Sequence, residues 1–268
     1  MKFLSLLCCL LVLPLAGCVK RKPAPQARGQ RPVANYQRPP APGPVNGQKL
    51  SWTSAAVNGP YIAITFDDGP VRANTPRLLD MLAQRGIKAS FFTVGSMAHN
   101  APDIIRRIVA EGHELANHTW THPKLSSLSD GAVRNELKRS ADNLIATTGI
   151  APRMYRPPYG AITARQKEWI MREFGYPTIL WSVDPEDWKT KNAAMTRSRI
   201  LDQTRPGAII LVHDLHSSSV DAMPGTLDGL LAKGFRFVTV GQLMSMNNRA
   251  AGPAPVAVSS GNYGPGSF

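Results

Sequence analysis

The stretch Tyr61-Ile62-Ala63-Ile64-Thr65-Phe66-Asp67-Asp68-Gly69-Pro70 decides how the chain is read. Its first half is β-branched and aromatic, which predicts a buried strand. Two carboxylates follow, and then Gly69-Pro70, a pair that turns the chain. On a straight strand Asp67 and Asp68 would point to opposite faces. A bend at Gly69-Pro70 lets both approach one spot at the strand's C-terminal end. There one carboxylate can bind a metal while the other stays free as a base. An isolated Asp-Asp-Gly is more often a polar loop after a strand, so residues further along decide the matter.

Outward from this strand, strands and helices alternate. Apolar runs predict strands at 61–66, 89–94, 113–117, 154–156, 178–183, 208–213 and 236–240. Helical periodicity predicts helices at 75–84, 102–110, 129–147, 163–174, 197–203 and about 226–233. Gly86, Gly112, Gly149, Gly175 and Gly234 follow such segments, where a helix would stop. Repeated β-then-α units predict an α/β fold with about seven parallel strands, and that number allows a closed or nearly closed barrel. An open doubly wound sheet gives the same pattern.

The chain has 268 residues, enough for one large domain with a full core. Lys2 precedes an apolar run over 3–15, too short to span a bilayer and suited to a signal-peptide core. Leu15-Ala16-Gly17-Cys18 resembles the bacterial lipobox, which implies that residues 1–17 are a signal peptide and Cys18 a lipidated first residue. With Val19 rather than Asp after the Cys, the outer membrane is the expected destination in a diderm host. Residues 18–51 are rich in Pro, Gly, Gln and Arg, and read as a tether with polyproline character. At ~3.1 Å per residue that tether can reach on the order of 100 Å. The segment 52–246 holds the folded domain, and 247–268 reads as a second loose tail.

The three cysteines are Cys8, Cys9 and Cys18, so the folded part contains none and cannot build a disulfide framework or a cysteine metal site. A thiol-free domain suits an oxidising compartment. The formal net charge of +13 invites a nucleic-acid reading. Its distribution argues against one, because Lys20, Arg21, Lys22, Arg28, Arg31, Arg38 and Lys49 lie ahead of the first strand in a stretch without acids. A basic tail beside a lipid anchor instead suits anionic head groups or cell-wall polymer.

The polar clusters fall where the predicted strands end. After the third comes His118-Thr119-Trp120-Thr121-His122-Pro123, whose two histidines, four apart, would lie on one face of a helical turn and can share a metal. With a strand-end Asp they form an open three-ligand set that leaves room for water and substrate. Zinc in such a set lowers the pKa of its water to ~7 and polarises a carbonyl. After the fourth strand comes Arg156-Pro157-Pro158-Tyr159-Gly160. The prolines stiffen this loop, Tyr159 keeps a backbone N–H that a proline would lack, and Arg156 can hold a carboxylate. Asp184-Pro185-Glu186-Asp187-Trp188 follows the fifth strand, and Leu211-Val212-His213-Asp214 ends the sixth. His99, His113 and His216 lack a partner spacing and read as structural. Trp52, Trp120, Trp169 and Trp181 read as core or cleft wall, and Glu111, Glu114, Lys138 and Arg139 as solvated charges.

These residues, in this order, resemble the five motifs of the polysaccharide deacetylase family, whose members share a distorted (β/α) barrel, complete or incomplete. The resemblance covers about residues 61–240. It implies that Asp68, His118 and His122 hold a divalent metal, usually zinc. Asp67 would take a proton from the attacking water, with Arg156 orienting it, and the backbone N–H of Tyr159 would face the oxyanion. His213 would protonate the departing amine while Asp187 keeps that ring charged and aligned. Trp188 and Leu211 would wall a small pocket for the acetyl methyl. The implied activity is removal of N-acetyl groups from an amino-sugar polymer. Peptidoglycan is favoured, because the run over 181–188 resembles that of the family's peptidoglycan-acting members and an exported, tethered enzyme meets that polymer first. Chitin-type oligomers, poly-N-acetylglucosamine, O-acetylated xylan and a glycan-binding lipoprotein without turnover stay open alternatives.

Overall fold

A computed structural model describes residues 49–250. The predicted signal peptide, nearly all of the tether and the end of the C-terminal tail lie outside the described residues. Among the described residues no helix is long and apolar enough to cross a membrane.

The predicted first strand is the centre of the sheet. Strand β1 is only Ser51–Trp52, and β2 runs Tyr61–Asp67. Then follow helix α1 (Thr75–Gln84), β3 (Ser90–Thr93), α2 (Gly95–Asn100), α3 (Pro102–Ala110), β4 (Glu114–Asn117) and α4 (Asp130–Thr148). The second half holds α5 (Ala164–Phe174), β5 (Thr178–Ile179), α6 (Asp187–Thr190), α7 (Ala193–Gln203), β6 (Ile209–His213), α8 (Ser217–Ala232), β7 (Arg236–Phe237) and α9 (Val240–Ala250). All pairings between these strands are parallel, in the order β4-β3-β2-β6, with β7 beside the start of β2 and β1 beside β5. Only single bridges carry the ladder round the far side, Asn117 to Tyr155, Tyr155 to Thr178 and Val183 to Ile210. The result is a distorted, incomplete barrel, as the resemblance implies, and not the open doubly wound sheet that the alternation also allows.

Several elements differ from expectation. The strand expected at 154–156 shrinks to one bridging residue, Tyr155. The helix expected at 226–233 begins nine residues earlier, at Ser217. Helix α9, which had been assigned partly to the loose tail from 247, runs on to Ala250. Glu114 is not a solvated charge. It is half-buried and accepts from Ser90 Oγ at 2.6 Å and from the Gly241 backbone at 3.1 Å, so it caps the first turn of α9. The glycines expected to stop helices all have positive φ, and Gly149 and Gly175 form the left-handed caps of α4 and α5.

Alternation along β2 sorts the core into two layers. Ile62, Ile64 and Phe66 face outward and pack with Leu78, Leu79 and Leu82 of α1 and Leu227 and Leu230 of α8. Ala63 faces inward with Phe92, Ala116, Ile179, Ile209, Val240 and Leu243, closing the lower end of the barrel with apolar side chains. Each fully buried aliphatic or aromatic side chain contributes ~1.5–3 kcal/mol, so this layering fixes the register. Once the register is fixed, the next inward positions, Thr65 and Asp67, must meet whatever occupies the upper half. The pairing of β2 with β6 then sets Asp67 directly beside His213.

Candidate active site

The upper half of the barrel is built around a guanidinium. Arg156 has no solvent exposure. Its Nε donates to Ile179 O at 3.2 Å and its Nη2 to Leu180 O at 3.1 Å. Its Nη1 donates to Thr65 Oγ1 at 2.8 Å and to Asp67 Oδ1 at 2.6 Å. Thr65 passes the chain of bonds on by donating to Ile210 O at 2.7 Å. The face of the guanidinium lies over Phe92, 4.0 Å from the ring centre. Burial lowers its pKa and the Asp67 carboxylate opposes that shift. A guanidinium keeps its charge in a protein regardless.

Asp68 leaves the strand by taking φ 75, a left-handed conformation that non-glycine residues rarely adopt. The reversal therefore begins at Asp68 itself, one residue before the expected bend at Gly69-Pro70. It brings the second carboxylate back to the side of the first. Asp68 Oδ1 lies 3.3 Å from His118 Nε2 and 3.1 Å from His122 Nε2, while Asp67 Oδ2 is 3.7 Å from His118 Nε2. The histidines do share the site, but not on a helical turn. Thr119 and His122 have φ 67 and 63, and the segment is a loop pinned by Glu136, which accepts from the backbone of Trp120 and Thr121 at 2.8 Å each.

Ligand atoms of Asp68, His118 and His122 all lie within 4.8 Å of one another. The set also passes a chemical test for a cation. His118 Nδ1 is 2.7 Å from the carbonyl of Arg156, so that nitrogen carries the proton and Nε2 presents a lone pair. A lone pair facing a carboxylate oxygen at 3.3 Å is repulsive unless a proton or a cation lies between them. Asp68 Oδ1 is buried and makes no well-aligned hydrogen bond. Burial works against its charge, yet with protons on the facing ring nitrogens the two imidazoles hold the carboxyl far below the ordinary carboxylate range, the part a cation would take between lone pairs.

A second dyad stands across the opening. His213 Nδ1 meets Asp187 Oδ1 at 2.9 Å. The other oxygen of Asp187 accepts from the His213 backbone at 2.9 Å and from Ser219 Oγ at 2.6 Å. Asp187 is fully buried at the start of α6. Burial opposes its charge as well, but the bonds from His213 and Ser219 keep its pKa low. For His213 burial favours the neutral ring. The Asp187 carboxylate, aided by Asp67 and Asp68, outweighs it and raises the pKa to about 9.

Of the remaining expected residues, Tyr159 stands against one of the ligands. Tyr159 has φ 60, and its ring stands edge-on to His122 with 4.8 Å between centres. Its side chain is 71% exposed, and Trp188 is 50% exposed. Leu211 is buried in β6, two residues before His213 and in register with Thr65. Thr65 and Ser219 were not singled out from the sequence. A lone hydroxyl in an apolar strand is a usable signal for Thr65, whereas Ser219 reaches Asp187 from a helix 32 residues away and leaves none. Among the residues set aside, His113 is buried and accepts from the Ala89 backbone, and Trp120 is flanked by His99 and by Arg139.

A family model described as polysaccharide deacetylase matches residues 54–179. The peptidoglycan-N-acetylglucosamine deacetylase of Bacillus cereus is 39% identical over 202 residues, covering 71% of this chain and 73% of that protein. The peptidoglycan-N-acetylglucosamine deacetylase PgdA of Listeria monocytogenes is 40% identical over 182 residues, covering 68% of this chain. The match spans only 38% of that longer relative. The crystal structure of a peptidoglycan N-acetylglucosamine deacetylase superposes with a TM-score of 0.71 at 36% identity, covering 76% of this chain and 97% of that one.

The ligand geometry generates one direct expectation. His118→Ala abolishes stoichiometric divalent-metal binding while circular dichroism shows the barrel intact. Metal retained at one equivalent in that variant would place the site elsewhere.

Proposed function

The chain belongs to the polysaccharide deacetylase family, and from that membership we propose that it hydrolyses N-acetyl groups of N-acetylglucosamine in peptidoglycan, with zinc as its metal. The observation that carries the reading is the pairing of Asp67 with His213 on neighbouring strands, beside the Asp68–His118–His122 set. Parallel neighbours are ~4.8 Å apart, so a proton acceptor and a proton donor flank one reacting centre.

When bound, the cation supplies a Lewis acid for the carbonyl oxygen and acidifies the attacking water. Asp68, His118 and His122 would hold it. Asp67 has one oxygen committed to Arg156 at 2.6 Å, which leaves the other to take the proton of the attacking water. An amide nitrogen leaves only as it is protonated, and His213 gives that proton from Nε2 because Asp187 occupies Nδ1. We assign the backbone N–H of Tyr159 to the developing oxyanion, and Trp188 with Leu211 to the wall that accepts the acetyl methyl.

The non-enzyme alternative, a glycan-binding lipoprotein without turnover, has no use for an intact acceptor and donor on either side of the ligand set. The same proposal puts the domain at the cell envelope, tethered through acylated Cys18, in the outer membrane of a diderm host.

The deciding experiment measures acetate release from defined N-acetylated peptidoglycan fragments, chitin oligomers and acetylated xylan, with and without chelator. Chelator-sensitive release from peptidoglycan is expected, and release only from xylan would convert the reading to an esterase. In the same assay Asp67→Asn and His213→Ala each lower kcat by ~10²–10⁴ with metal retained. Loss of metal from Asp67→Asn would instead make that residue a ligand.

The pH profile is a second check. His213 must be charged to act, so kcat holds while the ring is protonated and falls as pH rises through about 9. A bound cation offsets the pull of Asp68, which can only move that limb downward. Asp187→Asn removes the main stabilising charge and moves the limb lower still. An unmoved limb would dissociate the acid from His213. For the tether, Cys18→Ser shifts the protein from the membrane fraction to the soluble one, and unchanged fractionation would exclude lipidation as the anchor.

A further inference from the structure

One carboxylate beside the site takes no part in the chemistry above. Asp214 follows His213 and is 1% exposed. One of its oxygens accepts a short hydrogen bond from Thr75 Oγ1, and the other, Oδ1, is buried without any partner. Both oxygens press against Gly69, the residue after Asp68. A Cβ at Gly69 would lie 2.3 and 2.4 Å from them, and its three nearest atoms all belong to the Asp214 carboxyl. Gly69 does not have a left-handed φ, so the carboxyl is what excludes a side chain there.

The surrounding bonds join two segments of chain. Thr75 Oγ1 accepts from the Val71 backbone at 2.7 Å. Asn74 Nδ2 donates to Asp214 O at 2.9 Å and Leu215 O at 3.2 Å, and Asn74 Oδ1 accepts from Ser217 Oγ at 3.2 Å. From the opposite side Val94 N donates to Gly69 O at 3.1 Å. The turn that carries Asp68 is thus held between the end of β3 and the segment that follows His213.

We propose that Asp214 is a positioning residue, which wedges against Gly69 and, through its bond to Thr75, fixes the Asp68 turn relative to the strand end bearing His213. It thereby sets the spacing between the metal ligands and the proton donor. Its part in turnover rests on the deacetylase reading, whereas its hold on Asp68 does not.

The test compares wild type, Asp214→Ala, Asp214→Asn, Gly69→Ala and the Gly69→Ala/Asp214→Ala double variant. Zinc affinity is measured by competition with a chromogenic chelator, Tm on the metal-free proteins, and kcat and KM by acetate release. Asp214→Ala is expected to weaken zinc binding and lower kcat by about 10- to 100-fold, the range for groups that orient metal ligands, with little change in KM. Asp214→Asn keeps an acceptor for Thr75 and stays near wild type. Gly69→Ala loses zinc affinity and metal-free Tm, and removing the carboxyl in the double variant restores much of both. Unchanged zinc affinity in Asp214→Ala, or losses that simply add in the double variant, would overturn the proposal. Should wild-type protein bind zinc and release no acetate, the deacetylase reading falls, and the zinc affinities then decide the role of Asp214 alone.

Discussion

A guanidinium sealed inside a barrel needs acceptors for its donors, and the rest of this fold supplies them to four of its five N–H groups. Burying an ion costs several kcal/mol even after relaxation, and one carboxylate does not offset that alone. Arg156 therefore takes Asp67 and Thr65 from β2 and two backbone carbonyls, Ile179 and Leu180, from the far wall. Those two carbonyls sit in the part of the wall where the sheet is weakest. Single bridges at Tyr155, Thr178 and Val183 carry the ladder there, and the carbonyls of Ile179 and Leu180 accept from the guanidinium. The same guanidinium that holds Asp67 thus also spans the irregular part of the wall.

The same residue acts twice. Its side chain fixes the carboxylate assigned to proton abstraction, and its own carbonyl accepts from His118 Nδ1, which turns the Nε2 lone pair toward Asp68. Movement of Arg156 would disturb the acceptor and one metal ligand together. The second dyad does not depend on it. Asp187 is held by the His213 backbone and by Ser219 of α8, so the donor is organised by elements on the other side of the opening.

Much of this was legible in the sequence, because it depends on short-range pattern. The alternation in β2 separates outward Ile62, Ile64 and Phe66 from inward Thr65 and Asp67, and that period survives in a single strand. Polar residues at the ends of apolar runs marked where the site would lie, while their division into ligands, acceptor and donor came from the resemblance. What stayed hidden needed long-range geometry. Strand β1 has two residues and no period to read. The loop over 118–122 imitates a helical turn in spacing, yet Thr119 and His122 are left-handed. Glu114 looks like a surface charge until α9, from the far end of the domain, is seen to place its first turn on the carboxylate.

The opposed environments of the two halves explain how one small opening can keep a metal ligand and a proton donor charged together. Around Asp68 the imidazoles hold the carboxyl charged, and across the opening Asp187 holds His213 charged. Distance is not adjustable here. Asp67 and His213 are register partners in a buried ladder, and sliding β6 by one residue would turn His213 toward the helices and drive Ile210 and Val212 into the barrel. The chemistry of the site can therefore be tuned through the partners of these two residues, and only within the limits that the core register sets.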